Sequence, residues 1–196
     1  MQKITFDSEN HKYYIDGVEA PSVTTVCRFL AYDQKSDKPW LAKMAAGRGT
    51  RVHEACAMID YGEEPDEDAE ISGYLKAYRR FLGDYRPQWR GIEYMAGSTA
   101  AGLAGTIDRW GRMDGHDCIL DIKTGSRMHT AQLTAQLTGY ARLLIWDQKD
   151  TSFVPTHLYG LQLQKDGTYF LKRYPIDTAL LDACITMNHA VGGKAK

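Results

Sequence analysis

What this sequence has little of narrows the possibilities first. Its four cysteines, Cys27, Cys56, Cys118 and Cys184, stand far apart and form no Cys-x-x-Cys pair. A zinc ribbon or an iron-sulfur cluster is therefore not expected, and reduced thiols suit a cytoplasmic setting. There is no run of 18 or more apolar residues, and no apolar segment in the opening Met-Gln-Lys-Ile-Thr-Phe-Asp-Ser-Glu-Asn. Neither membrane insertion nor secretion is indicated. Internal repeats and low-complexity tracts are missing too, which argues against a repeat array.

Net charge is also small, at -1, but it is unevenly spread. Asp60, Glu63, Glu64, Asp66, Glu67, Asp68 and Glu70 form an acidic stretch without a single base, leaving 24 bases against 18 acids elsewhere. Basic residues gather on either side of it, in Lys35, Lys38, Lys43, Arg48 and Arg51 and again in Lys76, Arg79, Arg80, Arg86 and Arg90. Such asymmetry permits a phosphate-binding face. Any one cluster reads equally well as a solvated helix surface.

What is present is an ordinary soluble composition. With 196 residues, 43% apolar and 25% charged, the chain is long enough for one domain with a real core. Its most informative stretch runs from Gly105 to Gly125. Two segments rich in Ile, Leu and Trp flank Asp114-Gly115, a dipeptide suited to a two-residue hairpin turn because both positions tolerate positive φ. Counting outward from Met113 facing His116, Asp108 falls opposite Asp121, with Lys123 on the same face as Asp121. Opposed residues have Cβ atoms roughly 4.5–5.5 Å apart, a distance at which like charges repel. A divalent cation such as Mg²⁺, commonly held by one or two carboxylates, would meet that need, and Lys123 could orient a water or a phosphate oxygen. The same residues also fit a surface hairpin with a screened ion pair.

In chain order, Ile4-Phe6 and Tyr13-Ile15 predict a small hairpin, read as a flap rather than core. Ser22 can cap a short helix. Pro39 opens a helix through Trp40, Leu41 and Met44, which Gly47 and Gly49 are expected to bend or break. Val52, Cys56 and Ile59 then mark a further helix that sets His53 beside its apolar stripe. His53 reads either as a structural histidine or as a metal ligand, and imidazole suits Mn²⁺ better than Mg²⁺. The spacing of Ile71, Tyr74, Leu75, Tyr78, Phe81 and Leu82 predicts a long helix from about Glu67 to Asp84. Pro87 to Tyr94 reads as a strand carrying Glu93, which either completes the acidic cluster or is exposed. Thr130 to Trp146 reads as a helix with Gln132, Gln136 and Tyr140 on one side, facing a phosphate or lying at a half-buried rim. Strands near His157–Gln164 and Tyr169–Tyr174 flank the turn signal Asp166-Gly167, and a helix from about Asp177 to Ala190 closes the chain. These elements make an α/β sandwich around a small mixed sheet, with the acids at one edge.

Four ordered blocks carry a resemblance: Gly49-x-x-x-His53, Gly105-Thr-Ile-Asp108-Arg109, Asp121-Ile-Lys123-Thr124-Gly125 and Gln136-x-x-x-Tyr140. On the expected helix, strand, strand and helix, over roughly residues 45–145, this pattern resembles the PD-(D/E)XK nuclease superfamily. Within it, the similarity is to the RecB-like branch, which includes nuclease domains of bacterial recombination helicases, CRISPR-adaptation exonucleases and the mitochondrial genome-maintenance exonuclease. The resemblance implies a restriction-endonuclease-like core over residues 39–196 with an N-terminal hairpin and helix extension over 1–38. It also implies a DNA nuclease using Mg²⁺ or Mn²⁺, an exonuclease in phage or bacterial recombination, replication or repair.

By the same resemblance His53, Asp108 and Asp121 bind the metal with the carbonyl of Ile122, and Glu93 matches more loosely an extra acid of some relatives. Lys123 is implied to position or activate the attacking water. Gln136 and Tyr140 are implied to contact DNA or steady the site, and Arg48, Arg51, Arg109, Thr124 and Gln132 to lie along the DNA. The acidic stretch would repel DNA and guide its path, or be a disordered connection. Two departures stand out: the first acid lies in Thr-Ile-Asp rather than Pro-Asp, and Cys184 alone cannot supply the cysteine triplet that holds an iron-sulfur cluster in several relatives. A structure- or sequence-specific endonuclease remains open, as does a catalytically silent module that binds DNA or a recombination or replication partner. An oligomer is possible, and the expected setting is the cytoplasm of a bacterial or phage-infected cell.

Overall fold

The computed structural model describes residues 2–31, 39–147 and 152–192; Lys35 and Lys38 of the first basic cluster lie outside them. Strands β1 (Ile4–Asp7), β2 (Lys12–Ile15) and β3 (Val18–Ala20) form an antiparallel sheet in that order. The third strand goes beyond the expected hairpin. Asp16 and Gly17, both at positive φ (50° and 85°), turn the chain back after β2. Nor is this sheet a flap, since Tyr13, Ile15 and Ala20 are buried in a small cluster with Ala104 of the main sheet. Ser22 then caps the short helix α1 (Val23–Cys27), its hydroxyl oxygen accepting the amide of Thr25 at 3.0 Å, as the sequence predicts. A single 3₁₀ turn, Arg28–Leu30, follows.

Helix α2 runs unbroken from Pro39 to Asp60, so Gly47 and Gly49 do not end it. A helical glycine costs only about 1 kcal/mol relative to alanine and keeps its backbone hydrogen bonds. After the exposed acidic stretch comes α3 (Ser72–Tyr85), which starts later than its apolar spacing predicts. The carboxylate of Asp68 accepts the amides of Glu70 and Ile71 and makes a turn there instead.

The main sheet has the order β4 (Gln88–Ser98), β5 (Leu103–Met113), β6 (His116–Lys123), β7 (His157–Leu163), β8 (Tyr169–Tyr174). All neighbours are antiparallel except β6 and β7, which are parallel. A parallel pair needs a long crossover, and α4 (Thr130–Asp147) provides it. Helix α5 (Thr178–Gly192) ends the described chain. The expected mixed α/β sandwich is therefore what forms. Among the described residues no helix is long and apolar enough to cross a membrane.

Two apolar layers cover the sheet. One joins α1, α4 and α5 through Val23, Val26, Leu137, Leu144 and Leu181 to Ile107, Trp110 and Ile119. The other joins α2 and α3 through Val52, Cys56, Leu75, Tyr78 and Phe81 to Cys118, Leu120 and Ile122. Strand β6 thus alternates between the layers, buried on both faces as a central strand must be. Only the later part of α2 takes part, because residues 40–47 are exposed all round.

Close packing between α1 and α4 depends on Gly139, where an added Cβ would come 2.6 Å from Cγ1 of Val23. Gly139→Ala should lower stability by about 1–3 kcal/mol in urea unfolding. At Gly47 an added Cβ meets nothing within 4 Å, so Gly47→Ala should raise the helical circular dichroism signal without loss of stability. A stable Gly139→Ala protein would show that the α1–α4 contact can relax.

Candidate metal centre

The turn at Asp114 and Gly115 has positive φ at both positions (51° and 77°), and the β5–β6 register runs from Met113↔His116 to Arg109↔Leu120 as the sequence predicts. The ladder ends one step before Asp108 and Asp121. There the strands part, and Oδ2 of Asp108 accepts the amide of Ile122 at 2.6 Å. Ile107 and Trp110 both face the α1–α4–α5 layer although they are three apart, so the pleat slips by one across Asp108 and Arg109. On the neighbouring strand Glu93 adopts left-handed backbone (φ 46°), which costs a non-glycine residue roughly 1–2 kcal/mol.

These irregularities bring three side chains from three elements together. The ligand atoms of His53 on α2, Glu93 on β4 and Asp108 on β5 all lie within 4.8 Å of one another. His53 Nε2 is 3.0 Å from the carbonyl oxygen of Ile122. A carbonyl can only accept, so Nε2 carries the proton and Nδ1 is the nitrogen turned to the acids. Nδ1 lies 3.6 Å from Asp108 Oδ2 and 3.8 Å from Glu93 Oε1. Burial works against charge on His53, but Asp108, Glu93 and Asp121 outweigh it and lift its pKa to about 9.

Asp121 stands beside this group, not in it. Its Oδ1 accepts from Gln136 Nε2 at 2.9 Å, and Lys123 Nζ is 2.6 Å from its Oδ2. Oδ2 is buried, with the Lys123 ammonium as its charge partner. Burial and the nearby Asp108 push Asp121 above the usual carboxylate range, and Lys123 pulls it part of the way back. Burial also opposes the charge on Lys123, yet Asp121 and Asp108 prevail and hold it as an ammonium. Gln136 donates in addition to the hydroxyl of Tyr140 at 3.1 Å. Both residues are buried. Gln136 thus holds Asp121 and Tyr140 backs it from α4, without facing solvent.

A hard divalent cation suits this donor set. One imidazole nitrogen and two carboxylates are ligands that Mn²⁺ accepts readily and Mg²⁺ accepts through its oxygens. The carboxylates of Glu93 and Asp108 against His53, and the proton they hold on it, mark a place short of positive charge. Of the residues the sequence grouped around a metal, His53, Asp108 and the more loosely matched Glu93 come together, with Asp121 beside them and the Ile122 carbonyl facing His53.

No protein-family profile matches this chain, and no curated protein matches it. Among solved structures the chain is similar to an alkaline exonuclease (LHK-Exo) from Laribacter hongkongensis, with TM-score 0.47 and 13% identity over 89% of this chain and 87% of that one. It is similar also to LHK-Exo in complex with dAMP, with TM-score 0.41 and 17% identity over the same shares, 89% and 87%. At these values the likeness transfers neither residue roles nor activity.

The residues expected along DNA divide. Arg48 is half-buried, its guanidinium 5.7 Å from the ring centroid of Tyr74, while Thr124 and Gln132 are half-exposed. Arg51 instead pairs with Asp68 and with Glu70, the latter at 3.0 Å, which ties it to the acidic stretch. Arg109 is fully buried against Asp60 and Glu93 and cannot reach a nucleic acid. Asp60 itself was hidden by the acids that follow it. Its place one turn after Cys56, on the buried stripe of α2, was the signal that separates it from them.

Binding of Mn²⁺, followed by calorimetry, should fall at least about tenfold in Asp108→Asn and in His53→Ala, and stay within about threefold in Lys123→Ala. A cation that takes Nδ1 must expel the proton held there below about pH 9. Affinity should therefore rise with pH between 6 and 8, by up to about tenfold per unit, with proton release visible in buffers of different ionisation enthalpy. An affinity that ignores pH would remove His53 from the ligand set.

Proposed function

We propose that this chain is a divalent-metal-dependent nuclease that hydrolyses DNA phosphodiester bonds from strand ends, in phage or bacterial recombination, replication or repair. The reading is carried by one observation. An imidazole and two carboxylates meet where two strands part, next to a carboxylate paired with an ammonium on the adjoining strand. Phosphodiester hydrolysis needs those functions together: a nucleophile made from water, and positive charge beside a phosphate that gains negative charge in the transition state.

His53, Glu93 and Asp108 would hold Mg²⁺ or Mn²⁺, with Asp121 adjacent. The bound ion supplies Lewis acidity toward a phosphate oxygen and a lower pKa for water. Lys123, one-third exposed and kept charged by Asp121, has donors left to orient a water or a phosphate oxygen. Gln136 keeps the Asp121 carboxylate from rotating, and Tyr140 fixes Gln136 in turn. Arg48, Thr124 and Gln132 are the rim residues for the DNA backbone. Arg51 and Arg109, already committed to acids, are not.

The test is digestion of end-labelled linear DNA and covalently closed circles by purified protein with Mg²⁺ or Mn²⁺. Linear substrates should shorten, circles should persist and a chelator should stop the reaction. Cut circles would overturn the dependence on ends, and intact substrates throughout, with Mn²⁺ present, would overturn the enzyme. Lys123→Ala should slow cleavage by about 10²-fold or more while keeping Mn²⁺ affinity.

A further inference from the structure

Arg109 has no exposed surface, and its partners lead from the α2–α3 layer to the cation site. Nε donates to Asp60 Oδ2 at 2.5 Å, NH1 to Glu93 Oε1 at 2.9 Å, and NH1 also to the backbone carbonyl of Asp108 at 2.6 Å. Asp60 is held in turn by the Tyr78 hydroxyl, which donates to the same Oδ2 at 2.6 Å. The Tyr78 ring lies 5.9 Å from the guanidinium.

We propose that Arg109 is a positioning residue for the cation site, anchored on Asp60 and the Asp108 carbonyl and fixing the Glu93 carboxylate in the place that metal binding needs. The proposal rests on the metal-centre reading above. Charge balance separates this role from a purely structural one. Asp60, with a side chain 2% exposed, already neutralises the guanidinium inside the protein. Glu93 is therefore a second acid on one arginine, and the negative charge it adds is left for a cation. It is also 36% exposed and sits on left-handed backbone, so its place against His53 and Asp108 has to be imposed from outside the strand. A planar guanidinium can reach a buried acid, a rim acid and a carbonyl at once, whereas a lysine ammonium is a point charge that cannot span them.

The experiment is a calorimetric Mn²⁺ titration of the full chain, its Arg109→Met, Arg109→Lys and Glu93→Gln variants, and the double variant Arg109→Met with Glu93→Gln. Apo unfolding curves are recorded alongside. Arg109→Met should lower Mn²⁺ affinity by about 10–100-fold, yet by less than about threefold when Glu93→Gln is already present, because Arg109 acts through Glu93. Should Arg109→Met not fold, Arg109→Lys keeps a charge beside Asp60 and should show the same loss. Equal losses with and without Glu93, or unchanged affinity in a folded variant, would overturn the positioning role alone. A parent protein that binds no Mn²⁺ would overturn the metal centre and this role with it.

Discussion

Glu93, Asp108 and Asp121 stand around the point where β5 and β6 part, and their mutual repulsion has to be met by positive charge from the protein or from solution. Lys123 takes Asp121, while Arg109, already neutralised by Asp60, holds Glu93 in place without cancelling its charge. Asp108 is left with one backbone amide and the flank of His53. The shortage of positive charge is thus localised at His53, between Glu93 and Asp108. The raised pKa of His53 expresses it: the imidazole holds a proton where a stronger cation would be held better.

The fold supports this concentration of charge from every layer. The later part of α2 is pinned by Val52 and Cys56, which leaves His53 no freedom to withdraw from the strands. On the opposite side, α4 brings Gln136 and Tyr140 to Asp121. The N-terminal sheet adds a third support, because the Tyr13 hydroxyl meets Thr106 Oγ1 at 2.9 Å just before Asp108. A site on strands and helices packed on both faces keeps its geometry better than one on loops, and preorganised charge is most effective where nothing must rearrange. The exposed first half of α2 lies outside this rigid frame.

Much of this was legible before the tertiary structure. Asp114-Gly115 set the hairpin register because a two-residue loop with positive φ at both positions matches the twist of its strands. The helical spacing of Tyr74, Tyr78 and Phe81 located α3, and that of Gln132, Gln136 and Tyr140 fits α4. Where local reading failed, a local interaction competed with the pattern. Asp68 bonded the backbone before α3 could begin, and Gly47 was too weak a breaker to stop α2. The third N-terminal strand was missed because Val18–Ala20 is too short to show alternation.

The sequence by itself determined which chemical groups would be near one another along β5 and β6, because strand register follows from turn chemistry and period-two alternation. It also determined that His53 would flank an apolar helix stripe and that Gln136 and Tyr140 would share a helix side. Only the tertiary structure decided the partners. It buried Arg109 with Asp60 and turned Glu93 into the cluster through a left-handed residue. Those outcomes depend on a one-residue slip of the pleat and on which distant charges share a low-dielectric layer. A contact between residues 49 positions apart, such as Asp60 with Arg109, leaves no periodic trace in the chain.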